Sequence, residues 1–216
     1  CQKIMNWDKL VFLLTVMLIG YLPYKVPQRL NPNGLTHIST IHSATLAFIF
    51  ILLSTLLITQ TKVFINMSPL NLVIIFLTTL AWFSAPKLIR KVGTFPKELI
   101  SQKSTWFVVR FEPRSFYLKF TEILFQQAKF LYLLYAVFSD LSLISKIIWF
   151  TLIIGLLHFT NLFFLSRREA LIFTFLSFPM AIVFSYLILR GLVLVTLSIH
   201  LWFYLIWAGY PWLNKK

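Results

Sequence analysis

Seven apolar runs account for most of this chain, and no other feature narrows its fold as much. They cover residues 10–24, 44–58, 70–83, 116–138, 143–165, 170–189 and 191–207. A helix that crosses a bilayer needs roughly 20 mainly apolar residues. In lipid the backbone must satisfy its own hydrogen bonds, which leaves helices or closed barrels. Runs of this length separated by Pro, Gly, Asn and charged residues predict helices. The expected fold is all-α: a polytopic transmembrane helix bundle of about seven spans plus an interfacial amphipathic helix. Ser68-Pro69 opens the third run as a helix start. The break at Arg190-Gly191 is short enough for runs six and seven to form an antiparallel hairpin, and Pro179 is expected to kink run six. The first run has neither a strongly cationic lead nor a small-residue cleavage site, so it reads as a span and not a signal peptide.

Charge supplies the orientation. The chain carries 20 Lys and Arg against 6 Asp and Glu, a formal net charge of +14. On a soluble domain that excess would point to nucleic acid. With 59% hydrophobic residues, the positive-inside rule accounts for it instead, and no nucleic-acid partner is expected. Counted on alternate sides of seven spans, 14 Lys and Arg fall on one side and 5 on the other, with Lys129 inside a span. The richer side holds the stretch from Lys87 to Lys119 and the C-terminus, so these are expected in the cytoplasm. Apolar residues recur through the stretch, which predicts an amphipathic helix or two on the lipid headgroups. Domain organisation then reads as N-terminal membrane helices with the basic loop over 1–109, and a helical core over 110–216. A single cysteine, Cys1, allows neither an internal disulfide nor a thiolate metal cluster. An opening Cys1 in place of Met is expected of a truncated or processed chain.

Beyond their first turns the last four runs hold few residues of the Asp, Glu, Lys, Arg and His types: Glu122, Lys129, His158 and His200. Ionisable groups at membrane depth are costly and mark functional sites. At 1.5 Å per helical residue, Glu122 lies about 9 Å deep from the cytoplasmic end of its span, and His158 and His200 about 10 Å deep in theirs. Three helices thus bring a carboxylate and two imidazoles to one level. A carboxylate in an apolar site can act as a general base toward water. Neighbouring imidazoles can orient that water, stabilise an oxyanion or bind a metal. No HExxH occurs, so metal-free water activation is preferred over zinc and no cofactor is expected. Each residue also has a structural alternative. Glu122 can pair with Lys119 or Lys129, His158 can bond a backbone carbonyl or Asn161, and His200 can bond Thr196 or Tyr204 one turn away. His37 and His42, five apart in a loop, suit no single helix face and are given no role.

Three segments in this order resemble the CPBP family of intramembrane endopeptidases, the CAAX proteases and bacteriocin-processing enzymes. Thr121-Glu122-Ile123-Leu124-Phe125-Gln126 occupies the frame of its EExxxR motif. Ile154-Gly155-Leu156-Leu157-His158 stands in the frame of FxxxH, and His200-Leu201-Trp202-Phe203-Tyr204 in that of HxxxN or HxxxD. The resemblance covers about residues 110–208. It implies cleavage of a membrane-embedded or lipidated peptide near the cytoplasmic leaflet, with Glu122, His158 and His200 as catalytic residues. Four positions depart from the pattern: Thr121 replaces the expected base, Gln126 the Arg, Tyr204 the Asn and Ile154 the Phe. A threonine hydroxyl cannot serve as a carboxylate base. The resemblance therefore implies two alternatives. One is an endopeptidase that uses Glu122 as base. The other is a catalytically inactive homologue acting as a subunit, scaffold or assembly factor of a membrane protein complex. The partners are membrane lipids and either a peptide substrate or a membrane protein. A small transporter or proton relay is a weaker reading, because no internal repeat is present.

Overall fold

The computed structural model describes residues 5–30, 39–63, 65–94, 111–163 and 167–213, with backbone alone for 24–30 and Glu169. Every regular element among them is helical. We number the seven α-helices α1 (Trp7–Leu30), α2 (Thr40–Thr59), α3 (Pro69–Val92), α4 (Pro113–Tyr132), α5 (Leu143–Phe159), α6 (Arg167–Leu189) and α7 (Val193–Leu213). The end of α4 widens into a π-helical turn over Leu133–Val137, and α5 tightens into a 3₁₀ turn over Thr160–Phe163.

The helix starts follow local chemistry. Ser39, Ser68 and Ser142 cap α2, α3 and α5, each hydroxyl accepting from a backbone N–H three residues on. Pro69 then takes the first position of α3, where a missing N–H costs nothing. α3 runs past its apolar stretch, through Pro86, to Arg90 and Lys91 in its last turn. Cations there face the negative end of the helix dipole and reach outward on long stems. The stretch expected to form an interfacial helix begins with this turn of α3, and its residues 95–110 lie outside the described residues.

Between α6 and α7 the chain turns within three residues. Gly191 N–H donates to Ile188 O at 2.9 Å and Leu192 N–H to Leu187 O at 2.9 Å, with Gly191 at φ 78°. This is the double bond of a Schellman cap, and its positive φ suits glycine. The tight turn matches expectation, yet the main packing partners lie elsewhere. α5 packs mainly on α6, α3 on α7, and α2 on α4. Helices from 1–109 and from 110–216 therefore share one core, which extends from Leu13 to Trp212.

Five helices are long and apolar enough to cross a membrane: α2, α3, α5 with its 3₁₀ turn, α6 from Ala170 onward, and α7. Their outward faces carry large apolar side chains such as Phe76, Ile144, Phe175 and Ile206. α1 and α4 are not among the five. α4 carries Arg114, Lys119, Glu122 and Lys129, and most of its side chains are buried against neighbours. It is the polar centre of an apolar bundle.

Candidate functional site

Lys119, Glu122, Gln126 and Lys129 are spaced 3, 4 and 3 residues apart, so they form one stripe along α4. On a water-soluble helix such a stripe would face solvent. Here Lys119 is 6% and Glu122 2% exposed. The buried groups answer one another. Lys119 Nζ donates to Glu122 Oε2 at 2.8 Å, and Gln126 Nε2 donates to Glu122 Oε1 at 3.0 Å. Lys119 Nζ also stands 4.2 Å from the centre of the Tyr204 ring on α7. Lys129, further along the stripe, donates to the Tyr21 hydroxyl of α1 at 2.6 Å. Of the two cations that could pair with Glu122, Lys119 forms the ion pair. It was expected in the interfacial stretch, and it lies instead in the core because it shares a helix face with Glu122. Thr121, where the EExxxR frame has its first carboxylate, is 2% exposed. Its hydroxyl turns back on its own helix and donates to Leu118 O at 2.8 Å.

The two imidazoles come together. His158 and His200 line one cavity of about 60 Å³ formed by α4, α5, α6 and α7. Gln126, Ser177 and Tyr204 add polar atoms, and Phe130, Phe150, Phe184 and other apolar side chains complete the wall. A water needs roughly 10–15 Å³ of such space, so the cavity has room for a few waters. Glu122 does not line it, but it is bonded to Gln126, which does. The structure therefore brings His158 and His200 into one cavity and sets the carboxylate one side chain back from it.

Each imidazole has a defined partner on one nitrogen. His158 Nδ1 lies 2.8 Å from Ile154 O, the backbone carbonyl one turn earlier. His200 Nδ1 lies 3.1 Å from the carboxamide of Gln127, whose other end lies 3.2 Å from the Thr196 hydroxyl. The His200 ring stacks on Tyr204 at 5.4 Å between centroids, and Phe184 flanks it at 5.5 Å. His42 sits in the first turn of α2, and His37 lies outside the described residues. Among the described residues, no group of three or more His, Cys, Asp or Glu converges to hold a metal ion.

Sequence reasoning passed over Gln127 and gave Gln126 only as a departure from a motif. The spacing that offered Lys119 as a partner for Glu122 could have marked Gln126, one turn further on, as a second. Nothing local marks Gln127, because its partners stand 69 and 73 residues away on α7. No protein family, no curated protein and no solved structure matches this chain.

Proposed function

We propose that this chain is a polytopic membrane protein that binds rather than cuts: a CPBP-like bundle without protease activity, acting as a subunit, scaffold or assembly factor for another membrane protein. One observation carries the reading. The position of the expected base holds Thr121, bonded to its own helix, while both oxygens of Glu122 are engaged by Lys119 and Gln126 and Glu122 itself does not line the cavity. A general base must reach the water it activates within a hydrogen bond. Glu122 keeps what resembles the structural half of a charged pair, with Lys119 supplying the cation that Gln126 lacks.

In this reading all seven helices cross the bilayer. α4 passes through the middle, shielded from lipid by its neighbours, so its charges meet protein and not hydrocarbon. The basic segment after α3 and the C-terminus face the cytoplasm.

The competing reading keeps Glu122 as base and His158 and His200 as its helpers. The shared cavity of the two imidazoles favours it. A cleavage assay separates the two. Wild-type protein in liposomes is incubated with a prenylated CAAX peptide and with a transmembrane peptide. We expect no product above protein-free liposomes. Product that disappears in Glu122→Gln and His200→Ala variants would establish the enzyme and overturn the binding role.

A further inference from the structure

The Thr196–Gln127–His200 chain fixes more than position. A carboxamide can turn by 180° and exchange its oxygen and nitrogen, so its partners decide the setting. The Thr196 hydroxyl has one hydrogen. It lies 2.7 Å from Val193 O, a carbonyl that can only accept, and 3.2 Å from the Gln127 carboxamide. The shorter contact takes the hydrogen, and a hydroxyl lone pair is left facing Gln127. The end of the carboxamide beside Thr196 must then be its NH₂. The structure draws the carboxamide nitrogen toward His200 Nδ1 and the oxygen toward Thr196; turning the group puts the oxygen against Nδ1, and that nitrogen then carries hydrogen. The opposite setting would ask one hydroxyl hydrogen to serve two acceptors.

We infer that Gln127 is a positioning residue: anchored by Thr196, it holds His200 as the Nδ1–H tautomer, so that the neutral ring turns the Nε2 lone pair toward the cavity. Gln127 is not part of the cavity wall and His200 is, so the Nδ1 side faces away and the Nε2 side faces in. His158 Nδ1 also lies against a carbonyl, which sets hydrogen on that nitrogen. His200 thus offers the cavity a hydrogen-bond acceptor. It takes an O–H or N–H donor, water first among them, and an oxyanion finds no N–H on the inner side of a neutral His200. This goes beyond the proposed function and concerns a cavity common to both of its readings.

The test is magnetic resonance of ¹⁵N-histidine-labelled full-length protein in lipid bilayers at neutral pH. His200 is assigned by its loss in His200→Gln. We expect His200 with hydrogen on Nδ1, and transfer from water protons to the Nε2 side. Thr196→Val removes the anchor and Gln127→Leu removes the acceptor. Each should lower the Nδ1–H to Nε2–H ratio by about tenfold, the scale of one hydrogen bond, while His158 is unmoved and Thr196→Ser keeps the wild-type ratio. Hydrogen on Nε2 or on both nitrogens of wild-type His200 would overturn the inference. So would a dry Nε2, or a ratio unchanged in whichever of the two variants folds. The signal is read on resting protein, so its failure is distinct from detection of peptide cleavage.

Discussion

Replacing Lys119 by Met should destabilise the bundle far more than an ordinary surface change. The Lys119 and Glu122 side chains are 8% and 3% exposed and 2.8 Å apart. Taking one partner from a buried pair strands the other charge and typically costs about 3–5 kcal/mol. The Lys119 ammonium also faces Tyr204, and a desolvated cation–π contact adds about 1–2 kcal/mol. Gln126 remains bonded to Glu122 and offsets part of the loss. A net cost of about 3 kcal/mol is the working value, roughly a 150-fold shift in the folding equilibrium. Glu122→Gln should cost a comparable amount by stranding Lys119. The double variant removes both charges and should cost clearly less than the two singles added, with a coupling of about 2 kcal/mol or more. Reversible unfolding in mixed micelles of the wild type, both single variants and the double variant measures all four corners. Additive losses, or a Lys119→Met cost under about 1 kcal/mol, would show that the pair is hydrated and not enclosed, and the placement of α4 would fall with it.

Three further outcomes are expected. A methyl group at Gly155 would run into the Phe178 ring, so Gly155→Ala should cost about 1–3 kcal/mol and Gly155→Ala with Phe178→Leu should recover most of it; the same unfolding assay reads both. Tyr21→Phe keeps the ring over Lys129 but removes the 2.6 Å acceptor, and should cost about 1.5–3 kcal/mol as a charge-assisted bond. In a Cys1→Ser background, cysteines at Lys62 and Lys87 should be labelled from opposite faces of sealed vesicles, Lys87→Cys from the cytoplasmic side; labelling of both from one face would refute the seven-span orientation.

Much of the helix layout was legible because its signals are local. Ser68-Pro69 announced α3, and Gly191 announced the turn into α7, each through backbone chemistry within a few residues. The length of α3 was less legible: the apolar run stops near Phe83, whereas the helix continues to Val92 on residues whose charge suits its end. Glu122, His158 and His200 stood out because charge at membrane depth is rare, and the spacing that pairs Glu122 with Lys119 lies within one turn. The choice of Lys119 over Lys129 was not readable. It depends on Tyr21, about a hundred residues away, giving Lys129 a partner of its own. The Gln127 network was hidden for the same reason, since a carboxamide acquires meaning only from what another helix brings to it.

The most direct test is to see the water. An experimental structure in lipid nanodiscs, at a resolution that shows ordered solvent, locates every water within hydrogen-bond reach of Glu122. We expect a carboxylate held by Lys119 and Gln126, with ordered water confined to the His158 and His200 side of the cavity. A water bridging Glu122 to both imidazoles would contradict it, and would place a base, a nucleophile and its helpers in one working site.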